Sequence, residues 1–131
     1  MILAILQARM TSTRLPGKVM RPLLGIPMIE RQVERIRRSK HLDQLVLATS
    51  NDITDDVLAE HSAGIQVACS RGSLNDVLDR FYQTAVPYTP EHVVRLTGDC
   101  PLIDPTVIDA VVEMHLAGSF DYTSNRSPPT F

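Results

Sequence analysis

Three cations, Arg9, Arg14 and Lys18, fall within ten residues, with the hydroxyls of Thr11, Ser12 and Thr13 and the turn pair Pro16–Gly17 between them. Cationic side chains and hydroxyl donors on one short, Gly-containing loop suit the oxygens of phosphate groups. A second feature is the turn Gly98-Asp99-Cys100-Pro101. A carboxylate placed near phosphates needs a cation between them, so Asp99 suggests Mg²⁺, a hard dication bridging phosphate oxygens and a carboxylate. Taken singly, each feature has a plainer reading. The three cations could be charges of a solvated loop, and Asp99 could be a turn-former or a helix cap.

What joins them is the order of elements that must position them. Ile2-Leu3-Ala4-Ile5-Leu6 is a continuous apolar run without alternation, the pattern of a parallel strand buried on both faces. The cationic loop follows it directly. Pro22, Gly25 and Pro27 make Met20 to Ile26 irregular or a short turn. From Pro27 a helix is expected, with Ile29, Val33 and Ile36 on one stripe. Leu45 to Thr49 reads as a second buried strand, Thr54 to His61 as a helix ended by Gly64, and Ile65 to Ala68 as a weak third strand. Ser73 is positioned to cap a helix whose stripe is Leu74, Val77, Leu78, Phe81, Tyr82 and Ala85. His92 to Leu96 is the fourth strand. Asp104 then caps a helix with Pro105 at its first position and Ile108, Val111, Val112, His115 and Leu116 facing inward, stopped by Gly118. Asp121 to Thr123 is expected as a fifth strand, and Ser127-Pro128-Pro129 cannot continue a central one.

Strand and helix alternate throughout, which predicts βαβ units in one α/β domain over residues 1–131: three layers, a mostly parallel sheet with helices on both faces. Ligands of such sheets bind beyond the C-terminal strand ends. The Arg9–Lys18 loop, the Ser50–Asp52 turn, the Arg71–Asp76 stretch and the Gly98–Pro101 turn all lie there.

Several function classes are excluded or weakened. Pro16-Gly17-Lys18-Val19 lacks the Ser or Thr of a P-loop, and no Gly-x-Gly-x-x-Gly follows the first strand. A net charge of −2, 5% aromatic residues and no Trp argue against nucleic acid as a partner. The apolar run at the N-terminus is too short to span a bilayer, which takes about 20 residues, and carries neither a positive n-region nor a cleavage site. A cytoplasmic protein without a membrane partner is therefore expected. Cys69 and Cys100 read as reduced thiols, and His41, His61, His92 and His115 show no ligand-like spacing.

At the first loop the sequence resembles a known family. Ala8-Arg9-Met10-Thr11-Ser12-Thr13-Arg14-Leu15-Pro16-Gly17-Lys18 is similar to the signature of the cytidylyltransferases that make CMP-activated acidic sugars (the CMP-Kdo and CMP-sialate synthetases), and Leu24-Gly25-Ile26-Pro27-Met28-Ile29 resembles their entry to the first long helix. Closer still is the branch of spore coat polysaccharide biosynthesis protein F. Val46 to Ser50, Arg71-Gly72-Ser73 with Asp76 to Arg80, and Arg95 to Asp104 look like that branch in order and spacing. The resemblance implies the Rossmann-like nucleotide-diphospho-sugar transferase fold. It implies backbone around Ala8 and Arg9 meeting cytosine, and Arg9, Ser12, Arg14 and Lys18 with Gly98 at the nucleotide. Asp99 would carry Mg²⁺, and Arg71 and Asp76 would lie on the nucleoside or sugar side. Arg9, Lys18 and Asp99 would take the catalytic roles. The implied reaction is attack of a sugar hydroxyl on the α-phosphorus of CTP, with release of pyrophosphate, in a homodimer. Family domains continue beyond the region corresponding to Ser124–Arg126, so the expectation is a nucleotide-binding half without the acceptor half, either a piece of a longer chain or a natural short form. A catalytically incomplete nucleotide module and a sugar nucleotidyltransferase using another triphosphate remain alternatives.

Overall fold

The structure, a computed structural model, describes residues 1–127. Its elements run β1 (Ile2–Gln7), β2 (Pro22–Leu23), β3 (Ile26–Pro27), α1 (Met28–Ile36), β4 (Gln44–Ser50), α2 (Asp56–Gly64), β5 (Ala68–Gly72), α3 (Val77–Ala85), β6 (His92–Thr97) and α4 (Pro105–Ala117). Four strands form one parallel sheet in the order β5-β4-β1-β6. β1 is central, with Leu3 to Gln7 opposite Gln44 to Ala48 and Ile2 to Gln7 opposite His92 to Thr97. Central position on both sides explains why Leu3, Ala4, Ile5 and Leu6 are all fully buried and why the run carries no polar residue.

The two faces of the sheet are covered unequally. Ala4, Leu6, Leu47 and Leu96 pack against Ile29, Val33 and Ile36 of α1, Leu58 of α2 and Ile108 of α4. Leu3, Ile5, Val46 and Ala48 meet only Phe81 and Ala85 of α3, with Tyr88 just after it. The result is the expected three layers, with helices on both faces. Among the described residues no helix is long and apolar enough to cross a membrane.

Several elements differ from the sequence expectation. The third strand is Ala68–Gly72, not Ile65–Ala68. Ile65 and Gln66 are spent closing α2: their N–H groups donate to the carbonyls of His61 and Ala63, and Gln66 turns the chain at φ 57°. Asp121–Thr123 forms no strand, and Tyr122 lies exposed. The stretch from Met20 to Ile26 contains a miniature antiparallel pair, β2–β3, turned by Leu24 and Gly25 at φ 52° and 80°. Two positive φ values in succession make Gly25 the natural residue there. Helix α3 is capped by Asp76, whose side chain accepts from the Asp79 N–H, while Ser73 Oγ accepts from the Asp76 N–H one step earlier. Its inner face is Phe81, Ala85, Arg80 and Thr84, and Leu78 and Tyr82 of the expected apolar stripe are exposed. In α4, Asp104 caps as expected and Ile108 and Val112 are buried, but Leu116 is half-exposed. Pro128 and Pro129 lie outside the described residues.

Candidate functional site

At the C-terminal edge of the sheet, the loop after β1 and the turn after β6 enclose a cleft of about 300 Å³. It is lined by Gln7, Ala8, Arg9, Ser12, Arg14, Lys18, Arg95, Thr97, Gly98 and Asp99, among others. Of the nine residues singled out from the sequence, seven are therefore brought together. A second depression, about 240 Å³, lies at the opposite strand ends around Asp43, Gln44 and Leu45 and contains none of them.

The β1–α1 loop is shaped by backbone closure. The Gly17 N–H donates to the Met10 carbonyl at 2.8 Å, with Gly17 at φ 71°, a conformation that favours glycine. Ser12 Oγ accepts from the Leu15 N–H at 3.4 Å. A deeper anchor holds the loop from below. Asp55, fully buried, accepts from the Met10 N–H at 2.6 Å and from both the N–H and the hydroxyl of Ser50. It thus ties the cationic loop to the end of β4. Asp55 was not distinguishable in the sequence, where an acid before α2 reads as a favourable helix N-terminal charge.

On the opposite wall, Gly98 is required by close packing. A Cβ there would stand 2.8 Å from the Gln7 carbonyl oxygen and 2.9 Å from Ala8 Cβ, while the Gly98 N–H donates to that same carbonyl. Asp99 follows with its carboxylate exposed. The Thr97 hydroxyl donates to it at 2.7 Å and is the main reason its carboxyl is held below the usual carboxylate range. The Cys100 thiol and the positive field of Lys18 act in the same direction. The same neighbourhood pushes the Cys100 thiol up, by burial first and by the Asp99 charge second, the direction that disfavours a thiolate.

Among the described residues, the side chains of Arg9, Arg14 and Lys18 find no hydrogen-bond or ion-pair partner. The same holds for Arg95, which the residue pattern did not mark as a site residue. It lies on β6 two residues before Thr97, on the same face, with its guanidinium carbon 5.4 Å from the centre of the Phe81 ring. That contact steadies a cation without neutralising it. Strand alternation with Thr97 was the available signal.

Arg71 and Asp76 stand apart from the cleft. Arg71 donates to the carbonyls of Ser50 and Asp52 at 2.9 and 2.8 Å and pairs with Asp56 at 2.7 Å. Asp76 caps α3.

Four cations without an ion-pair partner among the described residues line one cleft with a carboxylate, an arrangement suited to a polyanion. The sequence profile of the cytidylyltransferases matches residues 3–131. The chain belongs to the cytidylyltransferase family. It is 44% identical over 132 residues to spore coat polysaccharide biosynthesis protein SpsF of Bacillus subtilis, covering 98% of this chain and 55% of that protein. It is 33% identical over 111 residues to a 3-deoxy-manno-octulosonate cytidylyltransferase of Syntrophotalea carbinolica, covering 85% and 44% respectively. Among solved structures, a cytidylyltransferase from Leptospira borgpetersenii superposes with a TM-score of 0.86 at 37% identity, over 90% of this chain and 50% of that one. A CMP-2-keto-3-deoxy-manno-octonic acid synthetase complexed with CTP superposes with a TM-score of 0.72 at 20% identity, which bears on the fold alone. The chain thus spans about half the length of the cytidylyltransferases it matches.

Proposed function

We propose that this chain forms the nucleotide-binding part of a CTP-dependent nucleotidyltransferase, which transfers CMP to a sugar or acidic sugar of a surface or spore coat polysaccharide and releases pyrophosphate. The observation that carries the reading is the cleft that Arg9, Arg14, Lys18 and Arg95 line together with Asp99, with no ion pair to any of the four among the described residues. The backbone at Ala8 would meet the base, and Arg9, Ser12, Arg14 and Lys18 would grip the triphosphate. An acceptor hydroxyl would attack the α-phosphorus as the bond to the β-phosphate breaks. Fixed cations that neutralise the developing charge and hold the groups in line supply the catalysis.

The donor set at Asp99 fits Mg²⁺: an ionised carboxylate beside the Thr97 hydroxyl offers hard oxygen ligands. Mg²⁺ is ordinarily held by one or two carboxylates plus substrate phosphates and water, and it would supply charge neutralisation at the reacting phosphate. A cytoplasmic location belongs to the same reading, and so does assembly as a homodimer, which rests on the family resemblance.

Calorimetric titration with CTP and Mg²⁺ tests the proposal. Binding is expected, with Arg9→Ala and Lys18→Ala each weakening it by about tenfold or more, the scale of one lost charge-assisted contact. No binding, or binding indifferent to both substitutions, rejects it. Because the chain spans about half of its relatives, a nucleotide-binding module without chemistry is the second reading. Pyrophosphate release from CTP across a panel of acidic and neutral sugars separates the two. Competition among CTP, UTP, GTP and ATP decides the base.

A further inference from the structure

Arg80 is the largest fully buried side chain among the described residues, at 0% exposure, and it forms no ion pair. Only Nη1 is used, donating to the Ser73 carbonyl at 2.7 Å and more weakly to that of Leu74. Nε and Nη2 are buried with no partner. A buried charge ordinarily costs several kcal/mol unless it is paired, so this arrangement needs a reason.

Its position adds two further penalties. Arg80 lies in the first turn of α3, at the positive end of the helix, where a cation is disfavoured. It also lies within the field of Arg9, a second cation. Asp55 attracts it, but both Asp55 oxygens are already engaged by Met10 and Ser50. The exposed Asp79 of the same turn holds Gln83, and Asp76 caps the helix. Gly72 permits the burial: a Cβ there would stand 3.2 Å from Arg80 Cγ, so glycine lets α3 settle onto the end of β5.

A buried guanidinium, a helix N-terminus and the free Arg9 therefore sum their positive charge at one place on the rim where the cationic loop is anchored. Asp55 offsets that charge only in part, and no ion pair to Arg80 is formed among the described residues. We propose that Arg80 is a positioning residue of the nucleotide site: a buried cation that, with Arg9, is neutralised when the polyphosphate of the nucleotide binds. The inference deepens the reading given under Proposed function and rests on it. Arg80 acts through the field and through Arg9, without having to reach solvent. In a low-dielectric setting such a charge is poorly screened and acts at longer range than a surface one.

The test replaces the charge but keeps the shape. Arg80→Met and Arg80→Lys are compared with wild type for binding of CTP, CMP, cytidine and inorganic tripolyphosphate, and for melting temperature without ligand. In Arg80→Met, affinity for CTP and tripolyphosphate should fall by about tenfold or more while that for cytidine changes by less than about twofold. The ligand-free Arg80→Met protein should melt no lower than wild type, because a buried charge that is offset only in part has been removed. Arg80→Lys should keep most of the preference for polyphosphate. Parallel losses for CTP and cytidine, a lowered melting temperature, failure to fold, or a Lys variant as defective as the Met variant would each overturn the proposal. A wild-type protein that binds tripolyphosphate but not CTP would reject the cytidylyl reading while leaving the buried anion site standing.

Discussion

The β1–α1 loop and the β5–α3 loop leave the same edge of the same sheet and draw on the same residue types. Arg, Ser and Gly supply both. In the first, Arg9, Arg14 and Lys18 have no hydrogen-bond or ion-pair partner among the described residues and line a cleft. In the second, Arg71 is held by two carbonyls and Asp56, Ser73 by the Asp76 N–H, and Asp76 by that of Asp79. A cation whose donors are already satisfied lends stability. One that keeps them free, on a loop closed by its own backbone, is available to a ligand. The contrast lies in whether the local backbone offers carbonyls, and residue type does not reveal it.

Asp55 anchors the first of these loops to the end of β4, and removing it should give the largest effect. Asp55→Ala leaves the buried N–H groups of Met10 and Ser50 without acceptors and frees the cationic loop from β4. Losing two or three buried bonds to a charged group predicts a destabilisation of about 3 kcal/mol or more. CTP binding should fall with it. Urea denaturation and titration on the same preparation check both. Wild-type stability with wild-type affinity would mean that the loop needs no anchor.

A pair of single substitutions sharpens the contrast itself. Lys18→Ala should weaken CTP binding about tenfold and leave the melting temperature unmoved, because its ammonium contributes no bond to the fold. Arg71→Ala should do the reverse, losing about 1 kcal/mol of stability, since its bonds are half-exposed and partly screened. If Arg71→Ala instead weakens CTP binding at unchanged stability, Arg71 leaves Asp56 to reach the nucleotide, and the division between free and committed charges fails at that residue.

The sequence showed the frame more clearly than the wiring. The apolar run of β1 and the capping pair Asp104–Pro105 are local signals with one reading each, and both appear in the structure. The phosphate-suited loop was legible because its residue types need no tertiary partner to make sense. Arg80 was not: it sits between Asp79 and Phe81 in an apparent amphipathic stripe, and only the close approach of α3 at Gly72 shows that it is buried. With Arg80, Phe81, Thr84 and Ala85 on the inner face, the helical period puts Leu78 and Tyr82 outward. Arg95 was hidden because a strand residue's face depends on register, and its cleft exists only where β6 lies beside β1. The shift of β5 to Ala68–Gly72 has a comparable origin, since a helix ending on a left-handed Gln66 gives no composition signal of the kind a glycine would.

The smallest effect concerns the carboxylates, by pH and by metal. Asp52 and Asp104 are capping residues, held below the ordinary 3.8 chiefly by the hydroxyls and N–H groups of Thr54 and Thr106. A carboxyl whose folded pKa is depressed contributes stability that is complete well above its unfolded value and drains as pH falls through the folded one. The melting temperature should therefore begin to decline as pH falls below about 5 and keep falling with further acid. Asp104→Asn, which keeps a capping oxygen but does not titrate, should flatten part of that decline. Asp99 is also depressed, chiefly by the Thr97 hydroxyl, so Asp99→Asn should flatten part of it too. What separates the two is the ligand: Asp99→Asn should abolish the Mg²⁺ dependence of CTP binding, and Asp104→Asn should leave it intact. If Asp99→Asn leaves that dependence unchanged, Asp99 belongs with the structural carboxylates.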